Sequence, residues 1–221
     1  MEHHATLLMT EFITHDVKRF VLSRPEGFRF QPGQGVELAV DQPGWEKEKR
    51  PFTPTSLPED RVLEFTIKGY PEHKGMTEQL HKLEAGAKLL MSEPFGTIQY
   101  TGPGTFIAAG AGITPFLAII RRLARDNELT GHGLLFSNKG PNDIIGEQEL
   151  RHYLGDAARF VCTRDSDCRC QQQRIDRDYL KQHIADLQQH FYICGPPPFV
   201  EAINTALREL GANPEALVFE R

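Results

Sequence analysis

The chain has 221 residues, 39% hydrophobic and 25% charged, and its 25 Lys and Arg against 30 Asp and Glu leave a formal net charge of −5. That length accommodates one large domain or two compact ones without covalent staples, and the acidic balance argues against nucleic acid as a partner, because phosphate backbones select a basic face. No apolar run approaches the ~20 residues of a membrane span, and the polar start Met1-Glu2-His3-His4 is unlike a secretory signal, so a cytoplasmic protein without a membrane span is expected.

Up to residue 100, short alternating or aromatic segments (20–22, 35–40, 62–68 and 96–100) are separated by Pro and Gly, the pattern of an antiparallel sheet or barrel. One helix interrupts at 76–83, placing Met76, Leu80 and Leu83 on a single face. After Thr101-Gly102-Pro103-Gly104 the character changes. Apolar strands at 105–109, 133–136, 160–163 and 190–194, with an edge strand at 216–219, alternate with helical patterns at 115–125, 147–153, 177–184 and 198–210. Such alternation predicts a five-stranded, mostly parallel sheet covered by helices on both faces, with ligands at the carboxyl ends of its strands. The expected division is a domain of residues 1–101 and another of 102–221.

Cys162, Cys168, Cys170 and Cys194 are too few for a disulfide framework, and no C-x4-C-x2-C run offers an iron–sulfur site. Cys168-Arg169-Cys170 lacks nearby partners and reads as surface thiols. With no H-E-x-x-H and no G-x-S-x-G, neither a metal site nor a serine nucleophile is expected.

Four segments carry chemistry. Gly110-Ala111-Gly112-Ile113-Thr114-Pro115 follows an apolar strand. Its glycines permit close approach of a ligand, Pro115 suits a first helical position, and the helix N-terminus favours phosphate. Taken alone it is also an ordinary strand-to-helix turn. Arg50-Pro51-Phe52-Thr53 offers a guanidinium fork, a flat apolar ring and a hydroxyl on a stiff segment, or simply a Pro-rich loop. Ile67-Lys68-Gly69-Tyr70 and then Gly75-Met76-Thr77 lead into the short helix as a second anion site or a plain cap. Tyr192-Ile193-Cys194-Gly195-Pro196-Pro197-Pro198 ends a strand in a small thiol at the ligand edge, or in a buried cysteine.

In this order and spacing the four segments, together with Phe136-Ser137-Asn138-Lys139 and Asp143-Ile144-Ile145, resemble the ferredoxin–NADP reductase superfamily over nearly the whole chain, in particular its cytochrome b5 reductase type. The resemblance implies a Greek-key barrel binding FAD followed by an α/β domain binding NADPH or NADH. It assigns Arg50 to the FAD pyrophosphate, Pro51 and Phe52 to the isoalloxazine or ribityl chain, and Thr53 to a hydrogen bond near flavin N5. Lys68 and Tyr70 would meet the ribityl or adenosine part, and Gly75, Met76 and Thr77 the pyrophosphate. Gly110, Gly112, Ile113, Thr114 and Pro115 would cradle the dinucleotide, and Cys194, Gly195 and Pro196 would lie beside the nicotinamide.

Two departures stand out. Phe52 replaces the usual tyrosine of the flavin motif, and Phe219, the candidate flavin-covering aromatic, is followed by Glu220 and Arg221. Thr163 and Arg164 end the third strand where a 2′-phosphate would be read. Asp165 and Asp167 oppose that phosphate, and the balance leans slightly to NADPH. The implied activity passes a hydride from NAD(P)H to flavin N5 and then electrons to a separate acceptor: a ferredoxin, flavodoxin, haem protein or small molecule. The alternative is a flavin-binding electron-transfer or regulatory subunit active only within a larger complex.

Overall fold

The computed structural model describes residues 2–96, 98–165 and 167–219. Its first half is a nearly closed antiparallel barrel of β1 (His3–Phe12), β2 (Val17–Ser23), β3 (Gln34–Val40), β4 (Arg50–Phe52), β5 (Val62–Lys68) and β6 (Lys88–Met91), with helix α1 (Met76–His81) before β6 and the two-residue β7 (Phe95–Gly96) after it. The strand order is β4-β3-β6-β1-β2-β5, with β7 on β3. Closure falls just past β4, where Pro54 bridges Phe65 and the Thr55 N–H donates to the Glu64 carbonyl at 2.7 Å. Alternation turns Leu63, Phe65 and Ile67 of β5 inward against Phe20, Leu22, Val36, Leu38 and Met91. Met76, Leu80 and Leu83 plug the same core, as their spacing implies.

Three strands here were not expected, and one of them, β4, is the short stretch Arg50–Phe52 that pairs antiparallel with β3. The longest, β1, runs through the polar start: His3 rests edge-on against Phe28 at 5.2 Å, so the sheet absorbs this terminus. Short β6 hides in a stretch whose alternation is brief. The segment expected at 96–100 contracts to Phe95–Gly96.

The second half is β8 (Gly104–Ala109), α2 (Thr114–Asp126), β9 (Gly133–Asn138), α3 (Glu147–Leu154), β10 (Ala158–Cys162), β11 (Gln171–Gln172), α4 (Arg177–His183), β12 (His190–Cys194), α5 (Pro197–Leu210) and β13 (Leu217–Phe219). All strands are parallel, in the order β11-β10-β9-β8-β12-β13. The five expected strands are present, and β11 adds a sixth at the edge. Phe106, Leu134, Phe136 and Phe160 pack on one face with α2 and α3; Ile107, Leu135, Val161 and Ile193 pack on the other with α4 and α5. Burial on both faces explains the unbroken apolar strands. The chain builds outward from β8 to β10 and returns to the far side at β12, so the order reverses beside β8, where a ligand crevice opens.

The two halves meet at a linker pinned by the buried Tyr192. Its hydroxyl accepts from the Thr101 and Gly102 N–H groups, both at 3.0 Å, and donates to the Gly102 carbonyl at 2.7 Å.

The cysteine expectation needs correcting. Cys162 and Cys170 form a disulfide, with Cα atoms 5.8 Å apart, while Cys168 is exposed. The physical reason is the return of the chain: β11 pairs with β10 (Cys162 opposite Gln172), which carries Cys170 back beside the strand end.

Candidate functional site

A cleft of about 740 Å³ lies between the barrel and the carboxyl ends of β8, β9 and β12. The barrel contributes Pro51, Phe52, Thr53, Lys68, Tyr70 and Thr77; the other half contributes Gly110, Gly112, Thr114, Pro115, Thr163, Cys194, Gly195 and Pro196. Segments more than 140 residues apart in sequence thus share one cavity, as the strand-order reversal requires.

On the barrel wall, Phe52 leans on the core while facing the cleft. Thr53 follows it, half-buried, and among the described residues its hydroxyl meets no protein partner. The Lys68 ammonium lies 2.6 Å from the Asp16 carboxylate. Burial alone would raise the Asp16 pKa, but Lys68 outweighs it and holds the carboxyl below its ordinary value. Tyr70 stacks on His73 at 5.7 Å. Between Lys68 and Tyr70, Gly69 lies under His81, whose ring would sit 2.8 Å from an added Cβ. That ring lies 2.9 Å from the Ile67 carbonyl, fixing the end of β5.

On the opposite wall, residues 110–113 make one tight turn and α2 begins at Thr114 with Pro115 in its first turn. Gly110 has φ +53°, and the space its side chain would fill is open. A Cβ on Gly112 would come within 2.6 Å of the Cys194 carbonyl carbon and 2.7 Å of the Gly195 Cα. The two glycine motifs therefore pack backbone on backbone, which is why position 112 needs glycine. Cys194 is a buried thiol at the end of β12.

The remaining expected site residues lie elsewhere. Arg50 is exposed, donating to the Lys49 carbonyl at 2.7 Å, with Glu48 at 3.5 Å, and is outside the cleft lining. Gly75 caps α1, and the side chains of Met76 and Ile113 are buried in the two cores, leaving only their backbones to face a ligand. Arg164 is exposed beyond β10. Phe219 belongs to β13, but its side chain and residues 220–221 lie outside the described residues.

Other lining residues had no role read from sequence. Asn138 ends β9, is 4% exposed, and neither atom of its side-chain amide has a protein partner. A buried amide left unpaired costs about 1–3 kcal/mol, so a polar ligand group at this wall would relieve it. A polar residue closing an apolar strand at the carboxyl edge was the available signal. Beyond Thr163 and Ser137 a second groove of about 710 Å³ continues, lined by Arg174, Arg177, Phe199 and neighbours. His15, Asp16 and Asp143 cluster at the rim, but Lys68 already balances Asp16, so no metal is assigned there. The concave glycine turn, open above Gly110, and the unpaired Asn138 fit a large nucleotide ligand.

Residues 4–100 match the family model of an oxidoreductase FAD-binding domain, and residues 106–205 that of an oxidoreductase NAD-binding domain. The chain is 26% identical over 219 residues to the ferredoxin–NAD(P)(+) reductase component of a naphthalene 1,2-dioxygenase system from Pseudomonas putida, covering 95% of this chain and 66% of that protein. It is 30% identical over 230 residues to NADH-cytochrome b5 reductase 1 of Coccidioides immitis, covering 93% and 74%. The flavohem-like FAD/NAD binding domain of nitric oxide dioxygenase from Vibrio cholerae superposes with a TM-score of 0.88, covering 99% of this chain and 97% of that one at 22% identity, which speaks to fold alone. The two domains and the shared cleft define a flavin-dependent NAD(P)H oxidoreductase. The chain belongs to the ferredoxin–NADP reductase superfamily, and its cofactors are FAD and NAD(P)H. No helix among the described residues is long and apolar enough to cross a membrane.

Proposed function

We propose that the chain is a reductase that takes reducing equivalents from NADPH and hands them to a separate acceptor, with FAD held by residues 1–101 and the dinucleotide by 102–221. The observation that carries this reading is the single cleft lined jointly by Thr53 from the barrel and by Gly110, Gly112 and Cys194 from the α/β half. When bound there, the flavin supplies the chemistry, accepting a hydride from the nicotinamide and releasing electrons.

The chain's own residues bind and orient. Phe52 would pack the ring system and the Thr53 hydroxyl would hydrogen-bond the N5 edge, both residues lining the cleft. Arg50, once released from the Lys49 carbonyl, would hold the FAD pyrophosphate together with backbone N–H groups at Gly75–Thr77, and Lys68 and Tyr70 would flank the ribityl or adenosine part. Gly110–Pro115 cradles the dinucleotide, the Asn138 amide completes its hydrogen bonds there, and Cys194, Gly195 and Pro196 shape a dry wall for the nicotinamide. No protein acid or base is needed for the transfer.

The preference for NADPH rests on the second groove. Arg174 and Arg164 are exposed around the end of β10. Asp167, which opposes a phosphate in sequence, is engaged by Arg169 at 2.9 Å, and that hydrogen bond holds its carboxyl below the ordinary value and offsets its charge. Two relatives are named for a dioxygenase ferredoxin and for cytochrome b5; a small electron-carrier protein of this kind is the acceptor proposed here.

The test is a visible spectrum of the purified protein followed by parallel anaerobic titrations with NADPH and NADH. Retained flavin bands bleached at lower concentration by NADPH are expected. Flavin reduced by neither nucleotide would favour a subunit active only within a complex, and a protein that neither retains nor rebinds flavin would overturn the reading.

A further inference from the structure

The half-buried charge network between the two halves has no role in the function proposed above. Arg121, near the middle of α2, points away from the α/β core against the outer face of the barrel. Its Nε and Nη2 donate to the two carboxylate oxygens of Glu149 on α3, at 2.6 and 2.9 Å. Its Nη1 donates to Glu64 Oε1 at 2.7 Å and to the Thr55 carbonyl at 2.6 Å. Glu64 Oε1 also accepts from the Thr55 hydroxyl at 2.7 Å, and its other oxygen lies 3.7 Å from Arg19. Thr55 is fully buried. Burial would raise the Glu64 carboxyl, but Arg121 and Thr55 prevail and hold it below its ordinary value. The guanidinium, likewise opposed by burial, is kept charged by its two carboxylates.

Two further facts give this network a direction. Thr55 is two residues beyond Thr53, on the segment that reaches the cleft from the barrel. The same helix that carries Arg121 starts at Thr114 and Pro115, which line the cleft from the other side. One helix therefore touches both cofactor walls, and Arg121 is the side chain by which it bonds the backbone of the flavin-side segment at Thr55. Two neighbours on the outer face of α2, Arg122 and Arg125, both pair with Glu59 (Arg125 at 2.9 Å), but these are exposed pairs of little energetic weight.

We propose that Arg121 is a positioning residue for the transfer between nicotinamide and flavin: by bonding the Thr55 carbonyl from α2 it fixes the spacing of the two cofactor walls. The proposal rests on the reading that Thr53 lies at the flavin. Transfer is steep in distance, and a misplacement of about 1 Å costs on the order of 100-fold in rate. Loss of the Thr55 bond should therefore appear in the rate of flavin reduction and in the flavin–nicotinamide charge-transfer absorbance, with binding little changed.

The variant Arg121→Lys keeps the positive charge between Glu64 and Glu149 but cannot reach three acceptors in fixed geometry. We expect it to hold flavin in wild-type proportion, to bind NADPH within about twofold of wild type, to lose most of the charge-transfer band, and to show flavin reduction slowed about 10- to 100-fold in stopped flow. Hydrogen exchange at the Thr55 amide, measured on flavin-free protein, should quicken. Arg125→Gln should change none of these.

If Arg121→Lys fails to fold, the pair Arg121→Gln with Glu149→Gln removes one charge of each sign and leaves Glu64 facing Arg19; the same pattern is expected. A wild-type reduction rate and charge-transfer band in whichever variant folds would overturn the proposal, as would a loss confined to flavin content and melting temperature with the rate per bound flavin unchanged. A wild-type protein that binds no flavin fails the functional reading instead, so the two failures are distinguishable.

Discussion

On the barrel side of the cleft, the segment bearing Phe52 and Thr53 is gripped by backbone pairing. It leaves β4, bridges β5 at Pro54–Phe65 and is bonded again at Thr55. On the α/β side, the loop after β10 that carries Thr163 and Arg164 has only a two-residue strand to return to, and a covalent bond between Cys162 and Cys170 closes it. The contrast shows two ways of holding a ligand-facing loop. A segment inside a sheet inherits its order from the ladder, whereas an edge loop needs a local staple, because fixing its backbone costs about 1–2 kcal/mol per residue.

The sharpest way to break this comparison is to damage the most tightly packed point of the α/β wall. Gly112→Val places a side chain into the Cys194–Gly195 backbone, which cannot yield as a flexible side chain would. Efficiency with NADPH should fall at least about 100-fold while the barrel still retains flavin, readable as kcat/KM against the visible spectrum. Next in size, Thr53→Val removes one hydroxyl from the flavin side. Flavin reduction should slow by about 5- to 10-fold, as loss of roughly 1 kcal/mol of hydrogen bonding implies, with flavin content unchanged by absorbance.

Cutting the staple tests the other arm. Cys170→Ser should lower the melting temperature, since a small closed loop contributes about 2–3 kcal/mol, and weaken NADPH binding more than flavin binding, measured by calorimetry on the same preparation. Equal weakening of both would erase the distinction drawn here.

Acid should act on the barrel through His81 and Glu64. Burial holds His81 below its ordinary value of 6.5, so beneath that pH the unfolded chain takes up a proton the folded one refuses. Stability therefore falls as pH drops from 6.5 toward the lowered value, and His81→Gln should flatten that part of a melting-temperature profile. Glu64 contributes above its ordinary value of 4.5, and its share is lost as pH falls further through its lowered value. The smallest effect belongs to the exposed Arg125–Glu59 pair: Arg125→Gln should leave the melting temperature essentially where it is.

Much of this architecture was legible before any coordinates. The β–α alternation after residue 104 carried the parallel sheet because strands buried on both faces read as apolar runs, and Gly110–Pro115 marked the cleft because only glycine tolerates the backbone contact at 112. Local pattern could not reach the rest. Strand β1 mixes polar and apolar residues, with Leu8, Met9 and Phe12 exposed, so its periodicity misleads. The disulfide depends on β11, too short to announce itself. Arg121 meets partners 57 and 28 residues away in sequence, and nothing near it in the chain names them. Asn138 stood inside a quoted motif, but its unpaired amide is a property of the packed wall.

The Tyr192 hydroxyl also bears on how the cleft operates. It fastens the linker at Thr101 and Gly102, while Arg121 fastens the halves again at Thr55 and Glu64. A body mounted at two separated points resists rotation about either one more than a body hinged at a single linker. Any swing of one half against the other would therefore have to break hydrogen bonds at both mounts.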